Sequence, residues 1–335
     1  MVSNHQTALF IAAGKNDTLS VNTLISSGVD LNIQNSNGNT ALMNAVYNHS
    51  FECIRVLIAA GADLNIQNNN GDTPLIWYAA HRSKVYFFRS PGDEGIDGCI
   101  RALIAARADL NIQDIFGDTA LICAARAGDS EIVNALIEAG ANLNIQSDNG
   151  YTALNSGYTF KCMKVLIDAG ANLNLQDVDG ATALMWIVDN FGLNDCAEAL
   201  IEAGANLNIQ DAEGDSVLFL AVRNNDVNSI DALLAAGADV NIINGAETAL
   251  SLACSLNHNE CIQRLLDAGA DDSGCSHPLI DIVHLKKQLA DKDAQIKELT
   301  TRTQELEYKV EELELSPYKG KQYLACKERF EYLLS

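Results

Sequence analysis

Prolines, tryptophans and basic side chains are scarce in this chain. Its 335 residues hold four Pro and two Trp, and 22 basic side chains stand against 44 acidic ones. With 48% hydrophobic residues and so little proline, the composition excludes intrinsic disorder over most of the length. No run of 18 apolar residues occurs, which excludes a membrane-spanning helix. The opening residues, MVSNHQTALF, lack the basic stretch and apolar segment of a secretory leader. The expected compartment is therefore intracellular, the cytoplasm.

The deficit of positive charge is concentrated. Residues 1–275 carry 33 acidic and 12 basic side chains, a net of −21, whereas residues 276–335 carry 11 and 10, a net of −1. Two kinds of segment are joined there. So acidic a body repels phosphates and anionic headgroups, which excludes nucleic acid and membrane surfaces as partners and favours a protein.

Chemical motifs are missing too. No CxxC pair, HExxH or Cys/His ligand spacing occurs, and no nucleophile with a base or phosphate-binding loop can be recognised. No enzyme, metal or cofactor is expected. Of the nine cysteines, Cys53, Cys99, Cys162, Cys196 and Cys261 share one repeat position. That regularity reads as core packing.

What the chain has in abundance is repetition. The Thr of a TxL triplet recurs at Thr7, Thr40, Thr73, Thr119, Thr152, Thr182 and Thr248, with Ser216 in its place once, at spacings of 33, 33, 46, 33, 30, 34 and 32. Each of the eight units parses in the same way. Thr caps a short amphipathic helix such as TALMNAV, and a second helix such as ECIRVLIAA follows. That helix stops at the Gly of AGAD or AGAN. An extended DLNIQ and a tight turn at Asn37-Gly38, Asn70-Gly71 or Asn149-Gly150 complete the unit.

GxTxL, AGA[DN]LN and the 33-residue period together resemble the ankyrin repeat family over residues 1–272. The family usually has Pro after the Thr and His after the Leu. Here Pro74 is the one such Pro, and no unit has that His. The phrase DLNIQ[ND] is similar to the ankyrin idiom of giant DNA viruses and amoeba-associated organisms, which would place the chain in a host cytoplasm. The resemblance implies an all-α ankyrin-repeat solenoid of helix-turn-helix units with short β-hairpin loops. It also implies that function sits where units differ. Its asparagines Asn32, Asn65 and Asn144 resemble the sites that asparaginyl hydroxylases modify in ankyrin proteins.

The differences between units are few. The third unit has 13 extra residues, 83–95, with Tyr86, Phe87 and Phe88. They form either a binding loop or a cover for nearby helix ends. Trp77 and Trp186 both lie four residues after their unit's Thr, in the slot that faces the groove of ankyrin proteins. Ile115, Phe116 and Tyr151 stand at turn tips where other units have polar residues. Each is either a binding residue or a packing residue. With Asp72, Asp118 and Asp189 around them, they outline a groove for an apolar protein segment with basic flanks.

From Ile282 the pattern becomes heptad. Its a positions are Ile282, Leu289, Ile296, Thr303 and Val310, and its d positions are Leu285, Lys292, Leu299, Leu306 and Leu313. The expected domains are an array over 1–275, a capping helix and coiled coil over 276–316 ended by Pro317, and a short amphipathic helix over 317–335. The coil either joins two chains as a parallel homodimer or folds back as one helix. Two function classes follow: a protein-binding module presented in two copies, or a structural component that mainly self-assembles.

Overall fold

A computed structural model of the chain describes residues 4–81, 98–157, 159–273, 275–314 and 330. The insertion with Tyr86, Phe87 and Phe88 lies outside the described residues, as does the expected helix over 317–335 apart from Phe330. The chain divides into two compact units, Met1–Asp271 and Asp272–Ser335.

Among its described residues the first unit has eight helix pairs. In chain order they are α1 (Asn4–Gly14) with α2 (Thr18–Ser26), α3 (Ala41–Tyr47) with α4 (Phe51–Ala59), α5 (Pro74–His81) with α6 (Gly98–Ala105), and α7 (Ala120–Arg126) with α8 (Ser130–Glu138). They continue as α9 (Ala153–Ser156) with α10 (Phe160–Asp168), α11 (Ala183–Phe191) with α12 (Asp195–Glu202), and α13 (Val217–Arg223) with α14 (Val227–Ala235). A hairpin of β1 (Ile243–Asn244) and β2 (Glu247–Thr248) precedes the last pair, α15 (Ala249–Leu256) with α16 (Asn259–Asp267). First helices pack on first helices of the next repeat and second helices on second helices, giving two rows. First-row helices bury more than one face, and in α7 Ala120 to Ala125 are all buried. Second-row helices bury one face, as α4 does with Cys53, Ile54 and Leu57.

The threonines cap the first row. Thr40, Thr119 and Thr182 Oγ1 accept from the backbone N–H groups of Met43, Ile122 and Met185 at 3.2–3.3 Å. Two repeats depart from the expected cap. Helix α1 begins at Asn4, so Thr7 lies inside it. Ser216 makes no cap bond, and its buried Oγ has no partner.

Side-chain amides join the repeats. Gln67 Nε2 donates to its own tip at Gly71 O (2.7 Å) and to Gln113 O of the next repeat (2.8 Å). Gln34, Gln113, Gln146, Gln176 and Gln210 do the same. The asparagines of DLN form a second ladder. Asn65 Oδ1 accepts from Asp109 N, Asn111 Oδ1 from Asn142 N, and Asn144 Oδ1 from Asn172 N, each at 2.9 Å. Turn tips add backbone bonds such as Ile115 N to Asn70 O at 3.1 Å. Gly71 permits that approach, for at φ 76° a Cβ there would sit 2.6 Å from Ile115 N. Each such bond is worth about 0.5–1.5 kcal/mol net. Among the described residues β1–β2 is the one strand pair, with Ile243 opposite Thr248. At the preceding tip Gln210 and Ser216 form an isolated antiparallel bridge.

The second unit contains α17 (Pro278–Glu314), 37 residues long. Pro278 opens it, where its fixed φ suits the first turn. His284 Nε2 lies 2.8 Å from Asp272 Oδ2. Ile282, Leu285, Leu289, Ile296, Leu299 and Leu306 are 43–64% exposed along it, and Val310 is half-buried. The side chain of Leu313 lies outside the described residues.

Candidate functional site

The first-row helices and the turn tips carry the large apolar side chains that packing leaves uncovered. The slot four residues after each Thr shows this. Cys123, Ser156 and Leu220 are buried there, Asn44, Leu252, Trp77 and Trp186 stay half-exposed, and Ile11 is exposed, so the two tryptophans are the large rings left uncovered in the slot. The Trp77 ring stacks on His81 with centroids 4.5 Å apart and meets Tyr47 of the preceding repeat at 4.6 Å. His81 is held in place, its Nδ1 lying 2.9 Å from Trp77 O. Trp186 meets Phe191 edge-on at 5.5 Å. Tyr47 and Phe191 are exposed.

Trp186 borders an irregular place. The fifth repeat lacks three residues, and α9 is a single turn. A small cavity there is lined by Leu154, Asn155, Gly157, Trp186, Phe191 and Cys196, among others. Ser156 Oγ is buried nearby in the chain without a hydrogen-bond partner.

At the tips, Ile115 is 55% exposed and Phe116 64%. Tyr151 is half-buried. Tyr47, His81, Phe191 and the exposed tip residue Val178 extend the expected set. Their signals were present: Val178 holds the tip position of Ile115, and His81 and Phe191 lie one helical turn beyond their tryptophans.

The acidic surround needs correction. Asp72 and Asp118 are buried rather than on the rim, and Asp189 alone of the three is exposed. The residue before each Thr sits against the first-row helix, which explains the burial. Arg126 Nη2 donates to Asp118 Oδ1 at 3.0 Å and Nη1 pairs with Oδ2, so that charge is neutralised. Arg223 Nη2 pairs with Oδ2 of buried Asp215, whose Oδ1 accepts from Asn244 Nδ2 at 2.7 Å. Asp72 has Ala80 at the position of those arginines, and Asn68 Nδ2 donates to it at 3.3 Å. Burial raises its carboxyl above the usual range, despite that bond. Exposed acids at the tips are Asp148, Asp179 and Glu213.

One group could resemble a metal centre. Asp114, Asp118 and Cys123 place ligand atoms within 4.8 Å of one another. The residues do not fit a cation, because Asp118 is occupied by Arg126 and burial pushes the Cys123 thiol up to about 12. Burial likewise raises Cys53, Cys162, Cys196 and Cys261. Cys53, Cys99, Cys162 and Cys261 occupy the core, whereas Cys196 is half-buried and so departs from its expected slot. Among the described residues the cysteines form no disulfide.

Two rows of short helices, joined at regularly spaced tips, define an α-helical repeat solenoid. A family model described as ankyrin repeats (3 copies) matches residues 4–88, 93–177, 155–244 and 184–274, and the chain belongs to the ankyrin repeat family. No curated protein matches it. Among solved structures it is similar to the ankyrin repeat domain of Bcl-3, described as a unique member of the IkappaB protein family. That likeness has 27% identity and a TM-score of 0.59, covering 68% of this chain and 97% of the other. Ankyrin repeats generally mediate protein–protein interaction. No helix among the described residues is long and apolar enough to cross a membrane.

Proposed function

We propose that the chain is a non-enzymatic binding module whose first-row face grips an extended or helical segment of another protein. The carrying observation is the pair of aromatic clusters, Tyr47–Trp77–His81 and Trp186–Phe191, whose tryptophans stay half-exposed in the slot that Cys123, Ser156 and Leu220 fill as buried residues. Large aromatic rings in such positions are typical affinity anchors. Trp77 and Trp186 are three repeats apart, about 30 Å if helices pack 8–10 Å apart. A helix of about 20 residues or a strand of about 9 spans that gap. Ile115, Phe116, Tyr151 and Val178 stand on the tips between them, and Asp148, Asp179, Asp189 and Glu213 supply negative charge. The matching partner is therefore an apolar segment flanked by Lys or Arg. The exposed seam of α17 supports presentation of this face in two copies by a coiled-coil homodimer, with self-assembly as the second reading.

Selection from a displayed peptide library on the full chain tests the binding face. Enriched peptides should carry apolar anchors with basic flanks and should lose binding to Trp77→Ala and Trp186→Ala chains. Peptides that bind both variants as well as the wild type would move the site elsewhere.

A further inference from the structure

Helix α17 leaves an apolar seam exposed from Ile282 to Leu306, about 36 Å at 1.5 Å per residue. Its flanking charges specify what covers it. The e positions are Lys286, Asp293, Thr300, Glu307 and Glu314, and the g positions are Asp281, Gln288, Gln295, Arg302 and Lys309. In a parallel, in-register pair each g residue faces the e residue five places on in the other copy. Asp281 then faces Lys286, Arg302 faces Glu307, and Lys309 faces Glu314. All three charged g–e pairs attract and each occurs twice, and the one like-charge contact is Lys292 against Lys292 of the other copy at a d layer.

The antiparallel alternative fares worse. The register that sets Ile282 opposite Leu313 also sets Lys292 opposite Thr303, which relieves the Lys292 layer of the parallel pair. Its e positions face e, however, and Asp293 meets Glu307 twice. Lys286 meets Glu314 and Asp281 meets Lys309, which leaves two attractive pairs and one repulsive pair in place of three attractive ones.

We infer that α17 pairs with α17 of a second copy in parallel and in register, with direction chosen by Asp281–Lys286, Arg302–Glu307 and Lys309–Glu314. The inference rests on the self-pairing proposed above and adds its partner geometry. Isoleucine or valine at three a positions and leucine at most d positions also suit two parallel strands. Both arrays are then joined to the same end of the coil, and one assembly carries two copies of the binding face.

Light scattering of full-length chains separates the two levels. Wild-type chains should be dimers at micromolar concentration, and a monomer overturns both the self-pairing and its geometry. Chains with Arg302→Glu and Lys309→Glu should dissociate at least ten times more readily, as should chains with Glu307→Lys and Glu314→Lys. An equimolar mixture of the two should recover wild-type pairing, because every g–e contact is again attractive. A dimer in which the Glu307→Lys, Glu314→Lys chain pairs as well as wild type overturns the parallel geometry and leaves self-pairing standing. Leu306→Cys gives an independent reading. On oxidation it should link two chains beyond the level of wild type if the pair is parallel. In the antiparallel register residue 306 faces residue 289 instead, and no added link forms.

Discussion

Trp77 and His81 lie face to face on one helix, one turn apart, with 8° between their ring planes. Tyr47 closes the group from the neighbouring repeat. The stack holds the indole in one orientation before any ligand arrives, which lowers the ordering cost of binding. Trp77→Ala should therefore weaken binding of a selected peptide by about 2 kcal/mol or more, typical of a hot-spot aromatic. The melting temperature should fall little, since a half-exposed ring leaves no closed core cavity. Titration calorimetry paired with thermal melts measures both. A large fall in melting temperature with unchanged affinity would assign Trp77 to packing.

Asp72 is a buried carboxyl in a repeat that lacks the arginine serving Asp118 and Asp215. Its folded pKa is raised, so its contribution to stability is full below the ordinary carboxylate value and is lost as pH rises through the raised one. Asp72→Asn should remove that loss, and Asn39 already occupies the same slot in the preceding repeat. The variant should melt above wild type at pH 7, and the advantage should shrink toward pH 4. Equal melts at both values would show that water reaches the carboxylate.

Asp226 has the opposite sign. Burial would raise its pKa, but bonds from the Ser229 hydroxyl and backbone N–H, and from the N–H of Leu193 in the previous repeat, outweigh this and hold it low. That stabilisation is present above the ordinary carboxylate value and is lost as pH falls through the depressed one. Asp226→Ala should cost about 1 kcal/mol at pH 7, as for a lost N-cap. In urea titrations the penalty should fade in acid.

The amide ladder can be cut at one rung. Gln146 Nε2 donates to Gly150 O and Gln176 O, both at 2.8 Å. Gln146→Ala should destabilise by about 1–2 kcal/mol, the scale of two hydrogen bonds. Hydrogen exchange should quicken in the fourth and fifth repeats and stay unchanged at the array ends. Uniform acceleration would mean that the rungs do not act locally.

Arg107 adopts φ 62° where the other repeats place glycine after the second helix. A left-handed non-glycine residue costs about 1–2 kcal/mol, and glycine's greater freedom when unfolded returns about half of that. Arg107→Gly should stabilise the array by roughly 0.5–1 kcal/mol. A shifted urea midpoint with unchanged slope would report it.

The repeat architecture was legible because the same local signals recur in register: a Thr cap, a glycine stop, an Asn-Gly turn. The long helix was legible from its heptads. Burial of Asp72 and Asp118 was not, because a carboxylate beside a turn looks solvated until the row behind it is in place. The GDT–Arg spacing of Asp118 with Arg126, and GDS–Arg of Asp215 with Arg223, was the available clue. Tyr47 was missed because its partner lies 30 residues away, in the next repeat. The linking roles of Gln67 and Asn65 were hidden for the same reason: each bonds a backbone group that comes near only when two repeats stack.

Those ladders have a genetic corollary. Six successive tips, from Gln34 to Gln210, present the same donor and acceptors, so unequal recombination between two of these repeats can excise or duplicate a whole copy and leave each surviving junction chemically satisfied. Changes in copy number are then easier for this gene to accept than an insertion of a few codons within a unit. Loss of the repeat bearing Trp77 or Trp186 would delete an anchor outright. Loss of one between them would shorten the spacing by a single step and retune which ligands fit.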